Sequence, residues 1–396
     1  MSNGREVVVL SGTRTAIGDY GGGLKDVAPT ELAAHVIREA AKRAKLDSKE
    51  IGACVLGNVI HTEAKDMYFS RVAALKGGLS DDSTALTVNR LCGSGMQAIV
   101  SASQTILLGD TDAAIGGGVE SMSRAAYAST TQRWGTRMGD GKTIDMMVGA
   151  LTDPFDTVHM GITAEAIAEK WKISREQQDE FSVESHRRAM NAIEKGYFKD
   201  QIAPFELKTR KGTTVFDRDE HPRADASIEG MAKLRAAFKK DGSVTAGNAS
   251  GINDGAAAVV LMERATAEKK GLKPMARLVS YGIAGVDPKI MGIGPVPSSR
   301  KALEKAGLKI EQIDVVESNE AFAVQALAVS CDLKLDPKKT NPNGGAVGLG
   351  HPIGATGAVL TVKALYELQR TGGKYALVTM CIGGGQGITA IFERLN

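Results

Sequence analysis

The sequence predicts an α/β fold built from two similar halves, with a region of different composition inserted into the first half. Strand-like and helix-like runs alternate near both ends of the chain, as is typical of α/β proteins. Glycine accounts for 46 of the 396 residues, and glycines close several strand-like runs, as tight turns require. Two short patterns also recur: 53–58 resembles 314–319, and 113–120 resembles 380–387. We therefore expect two layered α/β halves with a functional site between them.

The first half, 1–120 together with 249–273, begins with a β-rich apolar run at 7–10. Apolar residues then recur with helical spacing at 29–46, and the alternation of strand and helix continues. Further strands are predicted at 51–60, 83–92 and 112–118, and helices at 67–78 and 94–109. The pattern of this half therefore predicts alternating strands and helices, and the helix at 94–109 ends at Gly109.

The inserted region, 121–248, has fewer strand-like runs and more charge and methionine. Its predicted helices are 163–173 and 174–198, the second opening with a capping box formed by Ser174 and Gln177. The last half, 274–396, resumes the alternation. Its predicted strands are 275–285, 313–319 and 374–382, and its predicted helices are 298–308, 320–323 onward and 354–373.

Composition and charge exclude several classes of function. The formal net charge of +3 is too small to favour nucleic acid or a membrane surface as a partner. No run of 18 apolar residues predicts a transmembrane helix, and the first residues lack the apolar core of a signal peptide. We expect a cytoplasmic protein. The four cysteines have spacings that predict neither a disulfide framework nor a metal site.

Cys92 lies between an extended run and a predicted helix, beside Gly93 and Gly95. Unpaired N–H groups at a helix start stabilise a thiolate, so this position predicts a lowered pKa for Cys92 and a catalytic role. The glycines would let a substrate approach the backbone. A small buried apolar role is the alternative interpretation, since free cysteines often fill protein cores.

Three further segments carry candidate chemistry. His351 lies in a glycine-rich loop before a helix, which favours a chemical role over an ordinary surface or core position. Cys381 ends a strand before three glycines, where exposed N–H groups can hold an oxyanion. Asn319 lies where a strand meets a helix, and an ordinary helix cap is its alternative role.

These segments resemble the thiolase family. The motifs NRLCGSGMQAI, NEAFA, GHPIGATG and CIGGGQG stand in the family's order, and HMGITAE and TAGNASGINDGAAA match as well. The likeness covers essentially the whole chain and is greatest to bacterial acetyl-CoA acetyltransferases and β-ketothiolases, including those that supply polyhydroxyalkanoate synthesis. It implies a five-layer α-β-α-β-α fold with an inserted loop domain. It also implies a homotetramer built from tight dimers, in which the stretch 133–141 is a tetramerisation loop.

The resemblance implies ping-pong Claisen chemistry on coenzyme A thioesters, with no permanently bound cofactor. Cys92 would accept the acyl group and His351 would take the Cys92 proton. Cys381 would act as acid and base on the α-carbon of acetyl-CoA. His351 and a water held by Asn319 would stabilise the enolate, while the N–H groups of Cys92 and Gly383 would hold the tetrahedral oxyanion.

The resemblance also implies a set of substrate contacts. A histidine-methionine pair such as His159 and Met160 belongs to short-chain thiolases. Phe322 beside Ala321 would wall the acyl pocket, and a plain core position is the alternative for Phe322. The basic segment 208–212 would add positive charge for the phosphates of coenzyme A. The remaining matched positions contact pantetheine or the nucleotide, namely Ser250, Gly251, Leu151, Phe238 and Arg223.

Four alternatives stay open at this point. A degradative 3-ketoacyl-CoA thiolase would share the catalytic motifs and accept a broader range of chain lengths, although long-chain members typically lack a histidine at the position of His159. A ketoacyl-carrier-protein synthase would lack the second catalytic cysteine, Cys381. A cysteine hydrolase would use Cys92, His351 and Asn319 but give Cys381 no task. A non-catalytic acyl-CoA-binding protein would not need these side chains.

Overall fold

The structure is a computed structural model, and it describes residues 4–209 and 212–395. Arg210 and Lys211, from the basic segment 208–212, lie outside the described residues. The strands are β1 Val7–Arg14, β2 Gly18–Asp19, β3 Ala53–Gly57, β4 Thr84–Val88, β5 Ala113–Ser121, β6 Tyr127–Ser129, β7 Thr143–Asp145, β8 Thr152–Asp153, β9 Val158–His159, β10 Phe205–Thr209, β11 Gly212–Phe216, β12 Asn253–Glu263, β13 Ala276–Gly285, β14 Val315–Ser318, β15 Tyr375–Ile382 and β16 Gln386–Arg394.

The α-helices follow the predicted order, with short additional helices in the connections. They are α1 Pro29–Ala44, α2 Phe69–Lys76, α3 Ser94–Leu108, α4 Met146–Ala150, α5 Met160–Trp171, α6 Arg175–Glu194, α7 Ile228–Ala232, α8 Arg264–Lys269, α9 Pro295–Ala306, α10 Ala323–Leu333, α11 Ala346–Leu349 and α12 Thr356–Thr371.

The strand order of the main sheet repeats within the molecule. The order is β14-β15-β16-β13-β1-β12-β5-β3-β4, with β2 pairing to β12. In one half β3 runs parallel to β5, which is antiparallel to β12, which is antiparallel to β1. In the other half β14, β15, β16 and β13 repeat this sequence of pairings. The pairing of β3 with β4 also has a counterpart in the second half, namely the parallel bridge between Val316 and Thr340. The predicted repeat of two halves is confirmed.

The two halves of the sheet meet over a short seam, where β1 pairs with β13 through Val8↔Arg277 and Val9↔Ala276. Helices α3 and α12 lie between the halves. Helix α3 contacts β3 and β5 on one side and β16 on the other, while α12 contacts β15 and β12. Helix α1 covers β1 and β12, and α9 covers β13 and β16. This arrangement is the five-layer α-β-α-β-α fold.

The two central helices approach closely because glycines face their partners. A Cβ atom on Gly95 would lie 2.8 Å from the Ala358 nitrogen, and one on Gly357 would lie 2.3 Å from the Met96 nitrogen. Larger residues would force the helices apart. The close contact brings the segments before α3 and α12 to the same place in the molecule.

The inserted region is richer in strands than its sequence predicts. Its described residues form three small two-stranded pairings, β6 with β7, β8 with β9 and β10 with β11. Their strands of two to five residues are too short to show alternation. The predicted capping box of α6 is confirmed, since Ser174 and Gln177 exchange side-chain hydrogen bonds with each other's backbone.

One helical window, Leu91–Leu108, is apolar and long enough by composition to cross a membrane. It contains α3, and 61% of it is buried inside the protein. Because α3 is packed between the two halves of the sheet, its apolar character is that of a core helix.

Candidate active site

Cys92 lies in the connection between β4 and α3, as the sequence predicts, and only 7% of it is exposed. Leu91 adopts a left-handed backbone conformation with φ of 42°, which turns the chain into the helix. At Gly93 a Cβ atom would lie 2.6 Å from the Ile382 Cδ1 atom, so only glycine lets this turn approach β15. The thiol is therefore held where the two halves of the molecule meet.

The predicted lowering of the Cys92 pKa is wrong. The pKa of Cys92 is raised to about 11, chiefly by burial and to a smaller extent by the charge of Glu120. The backbone N–H groups of Gly383 and Cys92 itself oppose this rise, because they donate toward the thiolate. Burial outweighs the helix start, so the resting residue is a thiol and needs a base to become a nucleophile.

The turn between β15 and β16 supplies one of these donors. Gly384 and Gly385 adopt φ values of 82° and 87°, which favour glycine, and the turn directs the Gly383 N–H toward Cys92. Cys381, fully buried at the end of β15, also has a raised pKa because of burial and the nearby Cys92 charge. The two thiols are thus electrostatic neighbours across the turn.

His351 precedes α12 and is 5% exposed. The Thr356 hydroxyl donates to the Pro352 carbonyl at 2.9 Å, so its oxygen accepts from His351 Nδ1 at 2.6 Å. That hydrogen bond places the imidazole proton on Nδ1 and leaves Nε2 free to accept a proton. Burial lowers the pKa of His351 to about 4, which keeps the ring neutral at physiological pH.

Asn319 follows β14 and faces the same imidazole. Its N–H donates to the Thr379 carbonyl at 2.9 Å, which fixes the residue beside β15. Its Nδ2 lies 3.4 Å from His351 Nε2. The Asn319 Oδ1 atom is buried and has no hydrogen-bond partner among the described residues, so it can accept a hydrogen bond from a water or a substrate. The alternative role as a helix cap is not observed, since the residue before α10 is Phe322.

His159, Phe238 and Phe322 form an aromatic wall near this centre. The His159 and Phe238 rings stack with centroids 4.5 Å apart, and Phe238 meets Phe322 edge-on at 6.1 Å. His159 caps α5 by accepting from the Gly161 N–H at 3.0 Å. Met160 lies against the glycine turn, since a Cβ atom on Gly383 would lie 2.1 Å from its Cε atom.

Backbone contacts join other predicted positions to this wall. The Ser250 N–H donates to the Ala321 carbonyl at 3.0 Å, and Ala249 forms a bridge with Phe322. Leu151 packs against the small apolar cluster that contains Cys92, and its carbonyl accepts from the Met160 N–H at 2.9 Å. The structure therefore gathers Leu151, Met160, Ser250, Ala321 and Phe322 around one region.

Arg223 lies apart from the thiols, in the lining of a cavity of about 400 Å³. His186, His221 and Ser227 line the same cavity, and the Arg223 N–H donates to His186 Nδ1 at 3.2 Å. Gly251 approaches it, because a Cβ atom there would lie 2.4 Å from the His221 ring. The cavity is suited to the distant end of a long ligand.

Three buried side chains that orient the site were not anticipated from the sequence. Thr356 holds the His351 ring, Asn253 accepts from the His351 N–H at 2.8 Å, and Glu120 accepts from the Gly354 N–H at 2.8 Å. Thr356 stands within the GHPIGATG motif, which was a usable signal. Asn253 stands within TAGNASGINDGAAA and Glu120 ends the pattern at 113–120, but both are distant along the chain from His351 and no local pattern connects them with it.

Comparisons with known proteins find relatives along nearly the whole chain. The family description "Thiolase, N-terminal domain" matches residues 7–265, and "Thiolase, C-terminal domain" matches residues 272–394. The chain is 66% identical over 392 residues to "Beta-ketothiolase BktB" of Cupriavidus necator, covering 99% of this chain and 100% of that protein. It is 48% identical over 396 residues to an acetyl-CoA acetyltransferase of Rhizobium meliloti, with both chains fully covered.

Solved structures show the same architecture. Bacillus anthracis acetyl-CoA acetyltransferase superposes with a TM-score of 0.97 at 49% identity, over 99% of both chains. Human mitochondrial 3-ketoacyl-CoA thiolase superposes with a TM-score of 0.97 at 45% identity, again over 99% of both chains. Because the family match spans nearly all of the sequence and the fold agrees throughout, this chain belongs to the thiolase family.

Proposed function

We propose that this protein is an acetyl-CoA C-acetyltransferase, or β-ketothiolase, which reversibly condenses acetyl-CoA with a short acyl-CoA. The observation that carries the proposal is the pair of neighbouring buried thiols, Cys92 and Cys381, in a molecule that also holds a neutral, buried His351 beside Asn319. A ketoacyl-carrier-protein synthase or a cysteine hydrolase has no task for the second thiol. The high identity to proteins named β-ketothiolase and acetyl-CoA acetyltransferase supports the same assignment.

In the first half-reaction, Cys92 accepts the acyl group. His351 Nε2 takes the proton from Cys92 Sγ, and the thiolate attacks the thioester carbonyl of acyl-CoA. The bond from the carbonyl carbon to the coenzyme A sulfur breaks, and that sulfur takes the proton from His351. Because one thioester replaces another, the exchange is nearly thermoneutral.

In the second half-reaction, the Cys381 thiol gives its proton to His351 Nε2, and the resulting thiolate removes a proton from the α-carbon of acetyl-CoA. The enolate carbon attacks the acyl group on Cys92, and the bond to the Cys92 sulfur breaks to release 3-ketoacyl-CoA. The Cys92 thiolate then takes the proton held by His351, which leaves both cysteines as thiols. His351 and a water held by Asn319 Oδ1 stabilise the enolate oxygen, consistent with the unpartnered state of that buried atom.

The tetrahedral intermediate at Cys92 is stabilised by the N–H groups of Cys92 and Gly383. Both groups donate toward the sulfur in the resting protein, which supports this placement. Removing one donor of this kind raises the barrier by roughly 3 kcal/mol. The glycine turn thus supplies a hydrogen-bond donor to the Cys92 sulfur at rest and to the oxyanion during the reaction.

Coenzyme A reaches this centre past Ser250, Gly251 and the aromatic wall. It is a substrate, and the proposed reaction needs no permanently bound cofactor. Its nucleotide end occupies the cavity that contains Arg223, whose positive charge suits a phosphate. A human relative that shares 44% identity with this chain has been solved in complex with CoA. The cavity volume of about 400 Å³ supports a ligand that extends beyond the acyl group.

The acyl pocket is short. Met160, Phe322 and the stacked pair of His159 and Phe238 close it with large side chains, which supports acetyl and other short acyl groups. The degradative thiolase with broader chain length is the alternative. Turnover measured with acyl-CoAs of increasing length decides between them, because a short pocket predicts a steep fall in kcat/KM beyond the first few carbons.

We assign the protein to the cytoplasm and to a homotetramer made of two dimers. The edge strand β4 carries Leu86 with 53% exposure, and the neighbouring Met67 and Tyr68 are 70% and 72% exposed. An exposed apolar edge strand favours pairing with a second copy. Trp134 and Met138, in the loop between β6 and β7, are 92% and 95% exposed and support a second contact between dimers.

The experiment that tests this function traps the acyl intermediate. The protein is incubated with acetyl-CoA and quenched in acid, and acetylated peptides are mapped by mass spectrometry. Acetylation of Cys92 is expected in wild type, in Cys381→Ser and in the exposed control Cys331→Ser, but not in Cys92→Ser. If coenzyme A binds while Cys92 is never acetylated, the protein is an acyl-CoA-binding protein instead.

A further inference from the structure

Glu120 is a fully buried carboxylate near the end of β5, and hydrogen bonds surround it on both oxygens. Its Oε1 atom accepts from the Ile60 N–H and from Asn58 Nδ2, both at 3.1 Å. Its Oε2 atom accepts from the Val59 N–H at 3.1 Å and from the Gly354 N–H at 2.8 Å. One side chain therefore joins the loop after β3 to the loop before α12.

The joined loops lie on either side of the nucleophile. Ile60, whose N–H Glu120 accepts, and Ile353, which directly precedes Gly354, belong to the same small buried cluster as Cys92. Gly354 is required at its position, since a Cβ atom there would lie 2.4 Å from the carboxylate oxygen. A side chain at 354 would push Glu120 and the loop apart.

The loop that carries His351 is fastened at two points. Asn253, on the neighbouring strand β12, accepts from the His351 N–H at 2.8 Å, and Glu120 accepts from the Gly354 N–H. These two anchors lie three residues apart and bracket the turn at Pro352. Of the two, Glu120 alone also bonds the loop next to Cys92.

We propose that Glu120 is a positioning residue. It holds the loop that carries His351 against the loop at 58–60, beside Cys92, so that base and nucleophile stay aligned. This inference rests on the proposed roles of Cys92 and His351. The carboxylate touches no reacting atom, and it acts through the backbone of two loops. Misalignment by a fraction of an ångström lowers the rate without loss of substrate binding.

The electrostatics of Glu120 give the role a separate signature. Burial raises the pKa of Glu120 to about 8, helped by the neighbouring Asp254, while its backbone donors oppose the rise. Above that pH its negative charge raises the pKa of Cys92, the other titratable group it faces. A neutral substitute therefore lowers the pKa of the Cys92 thiol.

The test uses Glu120→Gln, which keeps the shape but presents an amide NH2 to donors that need an acceptor. Expected results are a fall in kcat on the order of 100-fold with little change in KM. The pH midpoint of Cys92 alkylation by iodoacetamide, followed by peptide mass spectrometry, should shift to lower pH. Glu120→Asp keeps the charge but is too short to reach both loops, so it should restore the alkylation midpoint and leave kcat low.

Glu165→Gln is the matched control. Glu165 is also buried and accepts from the Ser243 and Val244 N–H groups at 2.9 and 2.8 Å, but it touches neither Cys92 nor His351. The pH midpoint of Cys92 alkylation in Glu165→Gln should equal that of wild type. Equal losses of kcat in both variants with no shift in midpoint would reduce Glu120 to a general stabilising residue. Because alkylation needs no substrate, this result stands apart from acetyl trapping, which tests the proposed function.

Discussion

Burial keeps both the Cys92 thiol and the His351 imidazole uncharged at rest. The pKa of Cys92 is raised to about 11 and that of His351 is lowered to about 4. An ion pair of thiolate and imidazolium is therefore not the resting state. In the proposed mechanism, the proton moves only when a substrate is present to take the negative charge, and the resting thiol is less reactive than a thiolate.

The tautomer of His351 depends on a single hydroxyl. We expect Thr356→Val to lower kcat on the order of 10-fold with KM nearly unchanged, because the Nδ1 proton loses its acceptor. The measurement is steady-state kinetics with acetoacetyl-CoA and coenzyme A. Thr361→Val is the control, since Thr361 donates in the same way to the carbonyl four residues earlier on α12, without touching His351. Equal effects in both variants would contradict this role.

Burial of His351 also links stability to pH. The folded protein holds His351 with a pKa of about 4, whereas an unfolded histidine titrates near 6.5, so the unfolded chain binds more protons between these values. Stability is lost as the pH falls through that window. The free energy of unfolding should fall between pH 7 and pH 5 in both proteins. We expect that fall to be about 2 kcal/mol smaller in His351→Gln than in wild type.

Urea unfolding at both pH values and one protein concentration measures that difference. A parallel fall in wild type and His351→Gln would mean that the imidazole is not buried in neutral form. His186, whose pKa burial also lowers to about 4, remains in both proteins and cancels from the comparison.

The candidate residues were predictable from local sequence, but their electrostatics were not. Cys92, His351 and Cys381 stand in distinctive motifs beside glycines and predicted element ends. The sign of the Cys92 pKa shift depends on burial by Ile60, Met122 and Ile353, which come from three separate segments. A helix start is visible in a sequence, whereas the exclusion of water by distant side chains is a property of the fold.

At the scale of elements, the contact between α3 and α12 sets the position of the site. Each helix begins just after one catalytic segment, and glycines permit their close approach. We expect Gly357→Ala to destabilise the protein by about 1–3 kcal/mol, because its Cβ atom would meet the Met96 backbone at 2.3 Å. Chemical unfolding measures this change.

Gly149→Ala is the control for that prediction. Gly149 also lies in a helix, α4, but no atom stands within 4 Å of the place that a Cβ atom would take there. Alanine at this position should leave stability unchanged or raise it by up to about 1 kcal/mol, since alanine favours helix. A destabilisation of the same size in both variants would show that the helix contact is not responsible.

Periodicity predicted the long elements because each buries one continuous face. Helices α1, α3, α6 and α12 appear where apolar spacing places them. The hairpins of the inserted region escaped prediction because their strands have few residues and exposed side chains, such as Val215 at 58% exposure. No hydrophobic pattern is needed where no core is formed.

At the scale of the whole molecule, exposed apolar surface supports assembly. We expect the double substitution of Trp134→Ser and Met138→Ser to convert tetramers into dimers, because it removes the apolar tip of the loop between β6 and β7. Sedimentation velocity measures the mass in solution. Val215→Ser, an exposed apolar change on a different hairpin, should leave the mass unchanged. Retention of the tetramer in the double variant would place the contact elsewhere.

The repeat was visible in the sequence through two short patterns, and the structure extends it to whole halves. The patterns ending at Asn58 and Asn319 close equivalent strands, β3 and β14. The seam that joins the halves was not predictable, since it consists of the two pairings of Val8 and Val9 with β13. Such a short contact leaves no trace in local composition.

Cys92 and His351 stand before α3 and α12, which occupy equivalent places in the two halves. A dimer of two identical half-length chains would carry the same residue at both places. A single polypeptide carries a separate residue at each place, so a thiol and an imidazole can face one site from equivalent positions.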